Sequence, residues 1–210
     1  MEGLTRTATA ADPYEAEAYA VLAFATDSLG RPAEALAAAR RAVELNPSSA
    51  DILDRLAETM VDLGYPEEGA AQCDRAFRLN PSPPDWYGAF CHAAYFHTGR
   101  YQDALAALDR WGARRNLTLS MLAYRAADLA ELGRDQAAAE TVAEMRQRYP
   151  EVSLESLVNG LWTFQREQEE RQIVASATKG GVRVCATDEE LRPYPSPRRL
   201  PGCGGQRRAA

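Results

Sequence analysis

Two histidines, four cysteines and thirty acidic side chains are the residues of this 210-residue chain that could ligate a metal or move a proton. His92 and His97 stand five apart on one predicted helix, about 140° around it, so they share no face. No second ligand pair accompanies them, and packing or surface roles fit them better than metal binding. Cys73, Cys91, Cys185 and Cys203 form no CxxC pair, which removes support for a zinc or redox site. Cys73 and Cys91 fall in helical patterns and read as small core residues, while Cys185 and Cys203 fall near the C-terminal end. No export signal is legible, so reduced thiols and a cytoplasmic setting are expected. Nucleophilic catalysis would need an elbow such as GxSxG, and phosphate cradling a GxxxxGK[ST] or GxGxxG loop; neither is present. The carboxylates fall on helix faces as solvating charge. The expectation is a chain without metal or cofactor and without catalytic activity of its own.

Charge narrows the partner class. The net charge of −6 and pI near 5.1 argue against nucleic acid. No apolar run approaches the ~18 residues that a membrane span needs. Residues 180–210 hold six arginines against Asp188, Glu189 and Glu190, so this tail is basic and the remainder carries −9.

The elements that would position any site announce themselves by a repeat. Pro13, Pro47 and Pro81 stand 34 residues apart, as do Gly30 and Gly64; Gly99 follows 35 later and Gly133 another 34 later. Each glycine has a similar setting: SLG-RP, DLG-YP, HTG-RY and ELG-RD. A helical stretch of about a dozen residues precedes and follows each one. The unit is helix, glycine turn, helix, proline break. Alanine, roughly a fifth of the chain, suits close helix packing.

At these positions the chain resembles a tetratricopeptide-repeat (TPR) protein. Residues 16–49 carry Tyr19, Leu22, Ala23, Gly30, Ala35, Ala42, Leu45 and Pro47 at the family's places. Residues 50–83 carry Leu53, Leu56, Ala57, Met60, Gly64, Gly69, Ala76, Leu79 and Pro81. Residues 85–118 and 119–152 are degenerate, with Trp111 and Asn116 replacing an alanine and a proline. The resemblance implies an all-α, right-handed solenoid of antiparallel helix pairs. Four repeats would span 13–152, a capping helix pair 153–181 and a disordered basic tail 182–210. Residues 1–12 would be either part of a preceding repeat's second helix or a capping helix, so the chain is a fragment, the end of a longer protein, or capped at its start. Ser153 reads as an N-cap, and Trp162 and Phe164 as inward anchors of the capping pair.

The resemblance also implies a site. In TPR arrays the first helix of each pair lines a concave groove. Carried over, the groove offers Glu17, Phe24 and Asp27 from the first repeat and Asp51, Asp54, Glu58 and Asp62 from the second. Trp86, Phe96 and His97 come from the third. That groove is acidic at one end and aromatic in the middle, which suits a protein or peptide segment with basic and apolar side chains. It does not suit the chaperone carboxylates held by co-chaperone repeats, because only Arg55 could contribute. The arginine-rich tail is a possible intramolecular occupant. Over residues 80–180, Pro83-Pro84-Asp85-Trp86-Tyr87, GRYQDALAAL and YPEVSLESL resemble the C-terminal TPR region of bacterial class III adenylate or guanylate cyclases. A similar module occurs in some bacterial winged-helix regulators. Either parent makes this chain a regulatory or interaction end in signal transduction, without the catalytic or DNA-binding domain.

Overall fold

The structure, a computed structural model, describes residues 12, 14–112, 117–162 and 164–203. All regular elements among them are helices, and helix pairs follow one another as in an α-solenoid. The chain falls into two compact units, Met1–Asn116 with Phe164–Glu169, and Leu117–Thr163 with Glu170–Ala210. The expectation for residues 1–12 lies, except for Asp12, outside the described residues.

The first unit holds three pairs: α1 (Ala16–Ser28) with α2 (Pro32–Leu45), α3 (Ala50–Asp62) with α4 (Pro66–Leu79), and α5 (Tyr87–His97) with α6 (Tyr101–Gly112). Helix starts and stops are written locally. Pro32 and Pro66 occupy the first turns of α2 and α4, where their missing N–H has no intrahelical partner to lose. Ser49 caps α3 by accepting from the Ile52 N–H at 3.3 Å. Gly30, Gly64 and Gly99 have φ of 70°, 83° and 74°. Each closes its helix with the same pair of bonds: Gly30 N–H to the Asp27 carbonyl at 2.8 Å and Arg31 N–H to the Thr26 carbonyl at 2.9 Å illustrate it. The repeat glycines are therefore left-handed helix stops, as their spacing implied.

Small side chains set the distance between helices. Ala20, Ala23, Ala39 and Ala42 are buried with Ile52, Leu56 and Met60 in one cluster. A Cβ on Gly69 would come within 2.7 Å of the Ala57 carbonyl oxygen, so α4 approaches α3 through a bare Cα. Gly88 is tighter: a Cβ there would lie 2.1 Å from the Ala107 carbonyl oxygen. We expect Gly88→Ala to destabilise the first unit by about 3 kcal/mol, the upper end of ordinary overpacking, because the obstruction is backbone. Chemical denaturation measures this; wild-type stability would show that α5 and α6 separate freely.

The second unit contains the pair α7 (Leu119–Glu131) and α8 (Asp135–Arg148), then α9 (Leu154–Gly160), most of α10 (Glu167–Lys179) and α11 (Asp188–Leu191). Gly133 repeats the left-handed stop at φ 68°. Ser153 caps α9 in a capping box with Ser156. The Trp162 indole donates to Ser120 at 2.9 Å.

The disordered tail expected from residue 182 onward is corrected for residues 182–203. The carbonyls of Arg183 and Val184 accept from the first N–H groups of α9, Leu154 at 2.8 Å and Glu155 at 3.1 Å. The Glu155 carboxylate is fully buried and is satisfied by the Ala186 N–H, the Arg199 guanidinium and the Leu200 N–H, at 2.8, 2.9 and 2.8 Å. Val182, Ala186, Leu191 and Leu200 are buried, and α11 has its own capping box. The prolines and glycines turn a chain that four spaced apolar anchors and one buried charge hold down. Composition registers the turns and misses the anchors.

The cysteines require a second correction. Cys73 is bonded to Cys91 and Cys185 to Cys203, and among the described residues no cysteine is free. Sequence spacing could not supply this, since four cysteines allow three pairings and each pair here joins separate elements.

Candidate functional site

The first unit brings most of the expected groove residues together, at two ends of α3. At its C-terminal end, Glu58 and Asp62 are half-buried and feel the charge of Asp27 on α1. Asp27 is 5% exposed, and its Oδ1 has no hydrogen-bond partner. Burial pushes Asp27 up to about 6. Burial and then the Asp27 charge push Glu58 up to about 7, and Asp62 rises well above the usual carboxylate range from burial and both neighbours. Three carboxylates thus share a place that is short of positive charge.

At the other end of α3, Asp51 is exposed and accepts from the Tyr87 hydroxyl at 2.5 Å. Trp86 is half-buried, with the Arg55 guanidinium 5.5 Å from its ring centroid and Phe90 edge-on at 6.0 Å. Residues 51 and 58 are seven positions apart on one helix, about 10 Å along its axis. The aromatic and acidic ends are therefore separated by the reach of about three extended residues.

Besides Asp27, three expected groove residues do not present an accessible side chain. Asp54 and Phe96 are 0% exposed, and His97 is buried against the rings of Phe96 and Phe164 at 5.0 and 5.4 Å. The reason is α5, whose residues are buried nearly all round rather than on one stripe. Asp54 faces the Cys73–Cys91 disulfide, with Oδ1 3.0 Å from Cys91 Sγ. A disulfide sulfur carries no proton, so the contact needs one on Asp54. Burial, reinforced by Asp51, pushes Asp54 up to about 9, which keeps that proton in place at neutral pH. Glu17 and Phe24 are exposed on α1, Phe24 to 51%.

The four described arginines of the tail are paired within the second unit, while Arg207 and Arg208 lie outside the described residues. Arg183 pairs with Glu190 at 2.7 Å, Arg198 with Glu170, Arg199 with Glu155 and Asp188, and Arg192 with Glu189 at 3.8 Å. Carboxylates of the same unit take these guanidiniums, and the expected tail-to-groove contact is not found among the described residues. Arg166, which sequence reasoning did not single out, belongs to the first unit. Its guanidinium is 5.1 Å from the Tyr65 centroid. Among the described residues no group of three His, Cys, Asp or Glu is placed to hold a metal ion, and no helix is long and apolar enough to cross a membrane.

Residues 16–59 match the tetratricopeptide repeat family. No curated protein matches the chain in sequence. Among solved structures, the chain is similar to YrrB, described as a TPR protein with an unusual peptide-binding site, at 15% identity and a TM-score of 0.57, over 86% of this chain and 93% of that one. It is similar to MamA at 16% identity and a TM-score of 0.53, over 71% and 81% of the two chains. At these identities the likeness is one of fold: helix pairs of the TPR type.

Proposed function

We propose that this TPR-fold chain is a non-enzymatic interaction scaffold that seats an extended protein or peptide segment across α1, α3 and α5 of its first unit. One observation carries the reading: Asp27, Glu58 and Asp62 crowd together with a buried, unpartnered oxygen on Asp27. A lysine or arginine side chain would relieve that crowding, while the Trp86 and Phe90 end takes an apolar anchor. Recognition is then basic at one end and apolar about three residues away. YrrB, by its description, also binds peptide, which supports the class of partner.

Fluorescence anisotropy with short peptides carrying arginine or lysine near phenylalanine tests this. The variants are Glu58→Lys with Asp62→Lys, and separately Trp86→Ala. Each should weaken capture at least tenfold, about 1.4 kcal/mol. Because the carboxylates must ionise to meet the cation, wild-type affinity should rise between pH 6 and pH 8. Binding that ignores the lysine pair sinks the site.

Two settings draw on different observations. The resemblance over residues 80–180 supports a cytoplasmic cyclase-type signalling protein whose regulatory end this is, with a winged-helix regulator as the alternative parent. The two cysteine pairs support an oxidising compartment, where disulfides persist. We weigh the cysteines more heavily, because two separate pairs in one small chain both fall at bonding distance.

A further inference from the structure

We infer that Phe164–Arg166 is a resident ligand of the first unit, and that the surface beneath it accepts partner segments of the pattern aromatic–any–arginine. This deepens the scaffold reading and rests on it for the class of partner. Phe164–Glu169 belongs to the first unit although it follows α9 in sequence. Its backbone docks first: the Gln165 N–H donates to the Asp62 carbonyl at 2.8 Å. Asp62 ends α3, so that carbonyl is one that the helix itself leaves without a partner, and any residue in the middle position could reach it.

The two flanking side chains supply the selectivity. Phe164 sets its ring edge-on to His97, 5.4 Å between centroids. Arg166 runs across Gly64, where a Cβ would lie 2.5 Å from its Nε, and lays its guanidinium over Tyr65. Gly64 therefore does two things: its positive φ stops α3, and its bare Cα leaves a channel for an arginine stem. The receiving groups, the Asp62 carbonyl, Gly64, Tyr65 and His97, all lie within α3 to α5 and are complete without the segment. Gln165 and Arg166 remain exposed and Phe164 is only half-buried, which is the burial of a surface ligand rather than of a core residue. The segment's arginine matches the basic side chain that the neighbouring acidic end calls for.

The test uses the full chain and a labelled synthetic peptide reproducing Leu161–Gln168, with a scrambled peptide as control. The wild-type chain should bind the peptide weakly, because its own segment competes. Phe164→Ala with Arg166→Ala should bind it at least tenfold more tightly, the factor expected if the surface is free no more than about a tenth of the time. Adding Tyr65→Ala to that variant should abolish the gain. Hydrogen exchange on the unmutated chain gives an independent reading: saturating peptide should speed exchange at the Gln165 amide. Equal binding by wild type and variant, equal binding of the scrambled peptide, or unchanged Gln165 exchange would each overturn the inference. If the basic-apolar peptides still bind in a Glu58- and Asp62-dependent way, only the resident-ligand inference has failed; if they do not, the scaffold site has failed with it.

Discussion

Stability should fall between pH 6.5 and pH 8, by about 2 kcal/mol within each of the two units. One fully buried aspartate in each accounts for that amount, and in the first unit the raised Asp62 and Glu58 add to it. Asp54 in the first unit and Asp128 in the second are 0% exposed, and burial pushes both up to about 9. Neither oxygen of Asp128 has a hydrogen-bond partner, nor does Oδ2 of Asp54. In the unfolded chain an ordinary aspartate is ionised throughout this window, while the native groups keep their protons. Each pH unit therefore favours unfolding by about 1.4 kcal/mol per group. The window begins at 6.5 because the buried His92, pushed down to about 4, acts in the opposite direction below that. Hydrogen exchange resolved by unit, or denaturation across the window, measures the slope. Asp54→Asn should take about 1.4 kcal/mol per pH unit off the slope of the first unit alone, and Asp128→Asn should flatten the profile of the second. A level profile in the wild type would mean that water reaches both carboxylates.

Opening the Cys73–Cys91 disulfide should lower the stability of the first unit by about 3 kcal/mol, from the freedom that an 18-residue separation regains in the unfolded state. Opening Cys185–Cys203 should lower the second unit by a similar amount, about 3 kcal/mol, and loosen the segment folded over α9. Urea curves with and without a phosphine reductant read both effects, and the paired serine variants assign them. Thiol titration of native protein purified without reductant should find none reactive. Four reactive thiols there, with reductant-insensitive curves, would reject the pairing and restore the cytoplasmic setting. Reduction should also change the acid response of the first unit. A Cys91 thiol can donate to Asp54, so the aspartate no longer needs its own proton for that contact, and the slope above pH 6.5 should become shallower.

The fold was legible because its grammar is local. A glycine stop requires positive φ wherever it stands, and Gly30, Gly64, Gly99 and Gly133 carry that requirement in their neighbours. The site was half legible. Repeat register says which way a helical residue starts out, and it placed Asp27, Glu58 and Asp62 together. It does not say how deep the next helix sits, which is why Asp54 and Phe96 are buried instead. The contacts of Arg166 left no sequence signal, since Gly64 was already explained by its turn. The C-terminal segment was misread for a related reason: its order depends on Glu155 and a disulfide, neither of which has a period to detect.

Glu155 also imposes a timetable on synthesis. Its three partners lie 31, 44 and 45 residues further along the chain. As α9 leaves the ribosome, its carboxylate faces a seat that residues not yet translated must complete. Closure waits for Leu200. A polypeptide halted earlier leaves that carboxylate without the groups that allow its burial. The buried glutamate thus ties the packing of α9 to the translation of residue 200.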